Sequence, residues 1–280
     1  MDGKSVAQRI LDRCAQRVQH IKLQTRITPC LATVLVGSDP ASVTYTQMKR
    51  KRCEAVGMTS RKIELAENTT TAELVAEIKR LGDDPGVHGI LLQHPAPKHI
   101  HERDAFEAIP PLKDVDGVTM TSFGAIALGE PTRGYGSCTP AGIMRLLEAY
   151  DVKLSGLHAV VVGRSPILGK PMAMMLLAAD CTVTICHSRT KDLAKHVQQA
   201  DIVVAAVGKP RFVKGEWIKP GAIVIDAGYN PGNVGDVDYE PAAAKASMIT
   251  PVPGGVGPMT IATLIDQTAT GAERQLGLQL

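Results

Sequence analysis

A tyrosine and a lysine four residues apart, Tyr45 and Lys49, are the first side chains in this sequence whose types and spacing could do chemistry. Positions i and i+4 of a helix share a face, so the phenol and the amine would present together to one ligand. Ser42, just ahead of the expected helix, reads as its cap. Gln93 follows a short apolar run at the point where an α/β sheet offers polar groups to a ligand. Asp114-Val115-Asp116-Gly117 sets alternating carboxylates before a turn glycine, either a capped turn or a pair of ligand acceptors. A lysine whose charge is disfavoured by burial near such groups can act as a proton-transfer base.

The second candidate is a phosphate loop. After an apolar run ending at Val162 comes Gly163-Arg164-Ser165-Pro166-Ile167-Leu168-Gly169-Lys170-Pro171. Glycine permits a tight turn and close backbone approach, and the helix that follows offers free N–H groups to an anion. Pro171 reads as the first helical residue, where its missing N–H costs nothing. The spacing is not G-x-G-x-x-G, so a plain strand–turn–helix link stays open. In an NAD site an acidic residue should close the next strand and hold the ribose 2′-hydroxyl. That place reads Cys186-His187-Ser188-Arg189-Thr190. A hydroxyl and a guanidinium there, with Arg164 in the loop, suit a 2′-phosphate and so NADP. Short-chain dehydrogenases also use Tyr-x-x-x-Lys, but their nucleotide loop precedes the pair, and here it follows.

These groups need elements to hold them. Cys30–Val36 and Gly89–Leu92 read as buried strands, with helices over 44–56, 71–81 and 104–109. A second series gives strands at 158–162, 182–186, 202–206, 222–226 and 247–249, with a helix over 170–179. Strands joined by helices imply parallel sheets, hence α/β architecture in two lobes, with a hinge at 134–139 and a final helix from 260 to 275 packing back on the first lobe. The expected division is residues 1–138 with the helix 260–280, and a Rossmann-like domain over 139–259. Residues 5–21 form an amphipathic first helix, with Ile10, Cys14, Val18 and Ile21 on its apolar face.

Composition bounds the function. The chain has 280 residues, 3% aromatics and a net charge of +3, which argues against base-stacking modules and against a nucleic-acid footprint. No apolar run approaches the roughly 20 residues a spanning helix needs, and no apolar signal core follows Met1, so a cytoplasmic protein is expected. Six cysteines without a CxxC pair fit reduced thiols. His94, His99 and His101 fall in a proline-broken loop, a poor frame for zinc, and no metal is expected.

Taken together, "DGKSVA", "VLVGSDPAS", Y-T-Q-M-K, "LLQHPAP", "KDVDG", "VVGRSPILGKP", "TVTICHSRT" and "PVPGGVGPMT" occur in this order over nearly the whole chain. The sequence resembles the bifunctional methylenetetrahydrofolate dehydrogenase/methenyltetrahydrofolate cyclohydrolase family. That resemblance implies oxidation of 5,10-methylenetetrahydrofolate with NADP, then hydrolysis of the methenyl cation to 10-formyltetrahydrofolate, by a homodimer of two-lobed α/β subunits. It makes Lys49 the key catalytic residue, oriented by Gln93, with Tyr45 stacked on the folate and Asp116 on the pterin. It puts Gly163, Arg164, Ser165, Ser188, Arg189 and Tyr229 on the cofactor, and Ser42, Pro253, Gly254 and Gly255 with Tyr45 and Asp116 on the substrate. His94, Ala96 and Tyr229 depart from the usual pattern. A chain with only one of the two activities, or a non-catalytic NADP-binding sensor, are the alternatives; loss of the lysine would mark the sensor, and Lys49 is present.

Overall fold

The computed structural model describes residues 1–278, apart from the side chain of Ala41. The chain forms two compact units. One comprises Arg9–Ala125, Glu130–Tyr135 and the chain from Leu264 onward. Helix α1 (Gly3–Thr25) turns Ile10, Cys14, Val18 and Ile21 inward. A parallel sheet follows, in the order β2-β1-β3, from β1 (Cys30–Val36), β2 (Thr59–Leu65) and β3 (Gly89–Leu92). Strand β1 is buried along its whole length, which is why it reads as an unbroken apolar run. The helices are α2 (Pro40–Ala55), α3 (Thr71–Asp83), α4 (Glu102–Glu107) and α5 (Met120–Ala127). A reciprocal Thr70/Glu73 capping box starts α3.

The other unit comprises Met1–Gln8, Ile126–Gly129 and Gly136–Thr263. It runs α6 (Cys138–Ala149), β4 (His158–Val162), α7 (Gly169–Ala178), β5 (Thr182–Cys186), α8 (Leu193–Gln198), β6 (Ile202–Ala205), β7 (Ile223–Asp226), α9 (Tyr239–Ala243) and β8 (Met248–Ile249). All five strands pair in parallel, in the order β5-β4-β6-β7-β8. Alternate residues of β4 feed two separate cores. Ala159 and Val161 pack with Met172 and Leu176, and Val160 and Val162 pack with Val197 and Val213. Both faces are thus covered, as a parallel sheet requires.

The last helix, α10 (Val256–Gln275), ends in the first unit. There Cys14 Sγ meets the Ile265 carbonyl, and Arg17 binds Asp266 and Glu273. Gln267 donates to the Val115 carbonyl at 2.7 Å. All six cysteines are buried free thiols.

Three local expectations need correction. Ser42 does not cap α2: the helix starts at Pro40, and Asp39 is its N-cap, accepting from the Ser42 N–H at 2.9 Å. Proline suits the first turn because its missing N–H is not needed there, so the cap falls three residues earlier than expected. Pro171 is the third residue of α7, still within the turn whose N–H groups have no helical partner. Strand β2 was not expected at all. It lies at the sheet edge, and its sequence TSRKIEL is mostly polar.

Candidate functional site

Tyr45 and Lys49 lie one turn apart on α2 and are both half-buried. Gln93 continues past β3, its N–H bonded to the Val34 carbonyl of β1 at 2.8 Å. That ladder bond fixes where the side chain leaves the sheet. The Gln93 Nε2 donates to the His94 carbonyl at 2.9 Å, which turns Oε1 the other way. Oε1 then accepts from Lys49 Nζ at 2.9 Å. The lysine's position is therefore set by a side chain that is 8% exposed and itself held at both ends.

The two carboxylates of the 114–117 turn divide their work. Asp114 is fully buried and accepts from the Val118 and Thr119 N–H groups, each at 3.0 Å, and from the Thr119 hydroxyl at 2.6 Å. Burial pushes its carboxyl up, opposed by bonds from Ser122, Thr119 and the backbone. Asp114 is thus the structural member of the pair. Gly117 takes a φ of +67°, closing the turn, and leaves Asp116 half-buried. The neighbouring loop gives its histidines local partners. His94 packs edge-on against Phe106, His99 Nε2 meets the Thr69 carbonyl at 2.9 Å, and exposed His101 pairs with Asp104.

In the other unit, the order β5-β4-β6-β7-β8 reverses direction beside β4, so the crevice between the loops after β4 and β6 is the topological switch point. Gly163 opens the first loop with a φ of +136°, and a Cβ there would stand 2.1 Å from the Ala206 carbonyl oxygen. Only glycine allows the two loops to approach so closely. A Cβ on Gly169 would meet the Gly163 carbonyl at 2.4 Å, so both glycines are sterically required. Ser165 Oγ accepts from the Leu168 and Gly169 N–H groups, closing the entry to α7. Arg164 is exposed there, and Ser188 and Arg189 are exposed beyond β5. No carboxylate occurs at 186–190. These residues suit a dinucleotide bearing an extra phosphate.

Tyr229 is 56% exposed and donates to Asn233 Oδ1 at 2.7 Å. Pro253 is exposed, and Gly254 has a φ of +110°. A Cβ on Gly255 would stand 2.6 Å from the Pro251 carbonyl oxygen. The structure therefore joins Lys49 to Gln93 within the first unit, while Gly163, Arg164, Ser165, Ser188, Arg189, Tyr229, Pro253, Gly254 and Gly255 belong to the other.

Two acids escaped the sequence reading. Asp226 ends β7 and accepts from the Gly228, Asp236 and Val237 N–H groups, each at 2.9 Å. Burial pushes its carboxyl up to about 6, against those three bonds and with the nearby Asp236 charge adding to the shift. Asp236 is fully buried. The "GDV" tripeptide that carries it gives no periodic signal, because its partners are backbone groups distant in sequence.

The N-terminal part of the chain, residues 1–116, matches the model of the tetrahydrofolate dehydrogenase/cyclohydrolase catalytic domain. Residues 137–276 match that of the tetrahydrofolate dehydrogenase/cyclohydrolase NAD(P)-binding domain. The chain is similar to the bifunctional protein FolD 1 of Streptomyces avermitilis, at 64% identity over 279 residues, covering 100% of this chain and 96% of the relative. The bifunctional FolD methylenetetrahydrofolate dehydrogenase/cyclohydrolase of Campylobacter jejuni superposes with a TM-score of 0.95 at 45% identity, covering 98% of each chain. The Trypanosoma brucei FolD dehydrogenase-cyclohydrolase, solved with NADP and an inhibitor, also gives 0.95 at 37% identity, covering 99% of this chain and 97% of that one.

Proposed function

This chain belongs to the tetrahydrofolate dehydrogenase/cyclohydrolase family, and from that premise we propose how its own residues divide the work. The protein oxidises 5,10-methylenetetrahydrofolate with NADP and hydrolyses the resulting methenyl cation to 10-formyltetrahydrofolate. The observation that carries the residue assignment is the Lys49–Gln93 hydrogen bond at the carboxyl end of the three-stranded sheet.

Lys49 is the catalytic base of the hydrolytic step. A cationic substrate beside its Nζ favours the neutral amine, which takes a proton as water adds to the methenyl carbon. Gln93 holds Nζ in place through Oε1, and its second bond to the His94 carbonyl keeps the amide from turning over. Tyr45, on the same helix face, packs against the folate. Asp116 accepts the adjacent N–H donors of the pterin edge, which a carboxylate matches well. Ser42 adds a further substrate contact in the same unit.

Gly163, Arg164, Ser165, Ser188, Arg189 and Tyr229 hold NADP. When bound, NADP supplies the hydride acceptor for oxidation of the one-carbon bridge. Arg164, with Ser188 and Arg189, takes the 2′-phosphate, and Gly163 gives the pyrophosphate close access to backbone. Functionally, residues 1–138 with 260–280 form the folate-binding catalytic domain and residues 139–259 the nucleotide domain.

The enzyme works as a homodimer in the cytoplasm. Strand β5 ends its sheet, and Ile185 on it and Leu177 on α7 are exposed, an apolar edge suited to a second copy. Six reduced cysteines suit a reducing compartment. Among the described residues no helix is long and apolar enough to cross a membrane.

The test is an assay with methylenetetrahydrofolate run in parallel with NADP and NAD. NADPH forming faster than NADH, without a build-up of methenyl absorbance, is expected. Faster turnover with NAD would overturn the roles of Ser188 and Arg189.

A further inference from the structure

We propose that Asp236 is a positioning residue for the dinucleotide: its buried carboxylate fixes the loop after β6 as the second wall of the crevice. This rests on the reading that the unit around β4–β8 binds NADP. The loop after β4 is the first wall, opened by Gly163 and followed by α7. The facing wall, residues 206–209, has no helix of its own to stiffen it. Asp236 supplies the stiffness instead.

Its Oδ2 accepts from the Val207 N–H at 2.6 Å and the Gly208 N–H at 2.8 Å. Its Oδ1 accepts from the Lys209 N–H at 2.9 Å and from Asn230 Nδ2 at 3.0 Å. Three successive backbone N–H groups are thus drawn to one fully buried side chain. The residue before them, Ala206, carries the carbonyl that Gly163 approaches so closely. A shift of this loop is therefore felt directly at the first wall.

Asp236 is held in turn. Its own N–H donates to Asp226 Oδ1 at 2.9 Å, and its carbonyl accepts from the Val213 N–H at 2.9 Å. Asp226 also accepts from Gly228, one residue before Tyr229, so the two acids tie the loop after β6 to the segment carrying Tyr229. A carboxylate is needed at 236 because each oxygen serves two donors. An amide has one acceptor oxygen, and its NH₂ would face donors, either the Val207 and Gly208 N–H groups or the Lys209 N–H and the Asn230 amide. Asp236 touches neither substrate nor cofactor in this scheme; it acts through backbone.

The decisive experiment is Asp236→Asn, with NADP affinity measured by calorimetry on the free enzyme beside steady-state kinetics. The dissociation constant for NADP should rise tenfold or more. The dehydrogenase kcat at saturating NADP should stay within about threefold. Hydrolysis of supplied methenyltetrahydrofolate, measured without NADP, should keep its kcat and KM within about twofold. Unchanged NADP affinity, or equal loss of both activities, overturns the proposal. Wild-type protein that fails to bind NADP would instead defeat the reading of the unit itself. If Asp236→Asn does not fold, Lys209 carries the test. Lys209→Pro deletes one captured N–H and Lys209→Met removes only the charge. The proline variant should bind NADP at least twofold more weakly than the methionine variant, and equal binding of the two overturns the proposal.

Discussion

Replacing Gln93 with methionine tests whether Lys49 works because it is held. The substitution preserves length and apolar bulk at a site only 8% exposed, so packing changes little. It removes the acceptor that binds Lys49 Nζ at 2.9 Å and the donor to the His94 carbonyl. A hydrogen bond to a charged group is worth about 1.5–3 kcal/mol. If that energy orients the lysine in the transition state, the hydrolytic kcat should fall roughly 10- to 150-fold. The assay is decay of methenyl absorbance on supplied methenyltetrahydrofolate. NADPH formation from methylenetetrahydrofolate serves as the parallel control, because the nucleotide residues are untouched. A hydrolytic kcat within twofold of wild type, in a folded variant, would refute the argument that Gln93 positions the base.

Arg164→Ala should weaken NADP roughly ten- to a hundredfold and NAD much less, since one charge-assisted contact to the 2′-phosphate is lost; equal weakening of both in a titration would reassign Arg164. Asp226 gives a pH signature. Its carboxyl rises from 3.8 to about 6 on folding, so the folded state holds the proton more tightly, and this group's contribution to stability is complete below 3.8 and lost as pH rises through 6. Between pH 4 and 7 the stability of wild type relative to Asp226→Asn should therefore fall by up to about 3 kcal/mol in denaturant melts; a flat difference would contradict the shift. Arg17→Met should cost about 2–4 kcal/mol, because the carboxylates of Asp266 and Glu273, 14% and 10% exposed, lose the guanidinium that pairs α1 with α10; a loss under 0.5 kcal/mol would show that solvent replaces it.

How far the sequence carried depended on burial. The strands Cys30–Val36, Gly89–Leu92, His158–Val162 and Thr182–Cys186 emerge at the bounds read from sequence. Each is an apolar or β-branched run stopped by a glycine, a proline or a polar turn. Strand β2 escaped because an edge strand needs apolar residues only where it meets a neighbour, and Ile63 and Leu65 alone give no period. Helix α6 escaped because it opens with Thr139-Pro140, which reads as a break, although proline is at home in a first turn. The same rule explains the displaced cap at Asp39, where Pro40 was the available signal. In the first unit, the spacing of Tyr45 and Lys49 pointed to a shared helix face and Gln93 to the end of a strand, and a side-chain hydrogen bond joins Lys49 to Gln93. The Asp226–Asp236 pair was not legible, since most of its partners are backbone N–H groups of loops brought together by the parallel pairing of β6 and β7.

If one lysine carries the hydrolytic step while hydride transfer relies on a separate nucleotide site, the two activities separate when that lysine is removed. The measurement that tests it most directly follows NADPH and methenyl absorbance together in Lys49→Met, with NADP binding measured on the same sample. The expected result is unchanged NADP affinity and no hydrolysis of supplied methenyltetrahydrofolate, so that any methenyl product formed alongside NADPH persists. Continued decay of methenyl absorbance at a rate near that of wild type would contradict it.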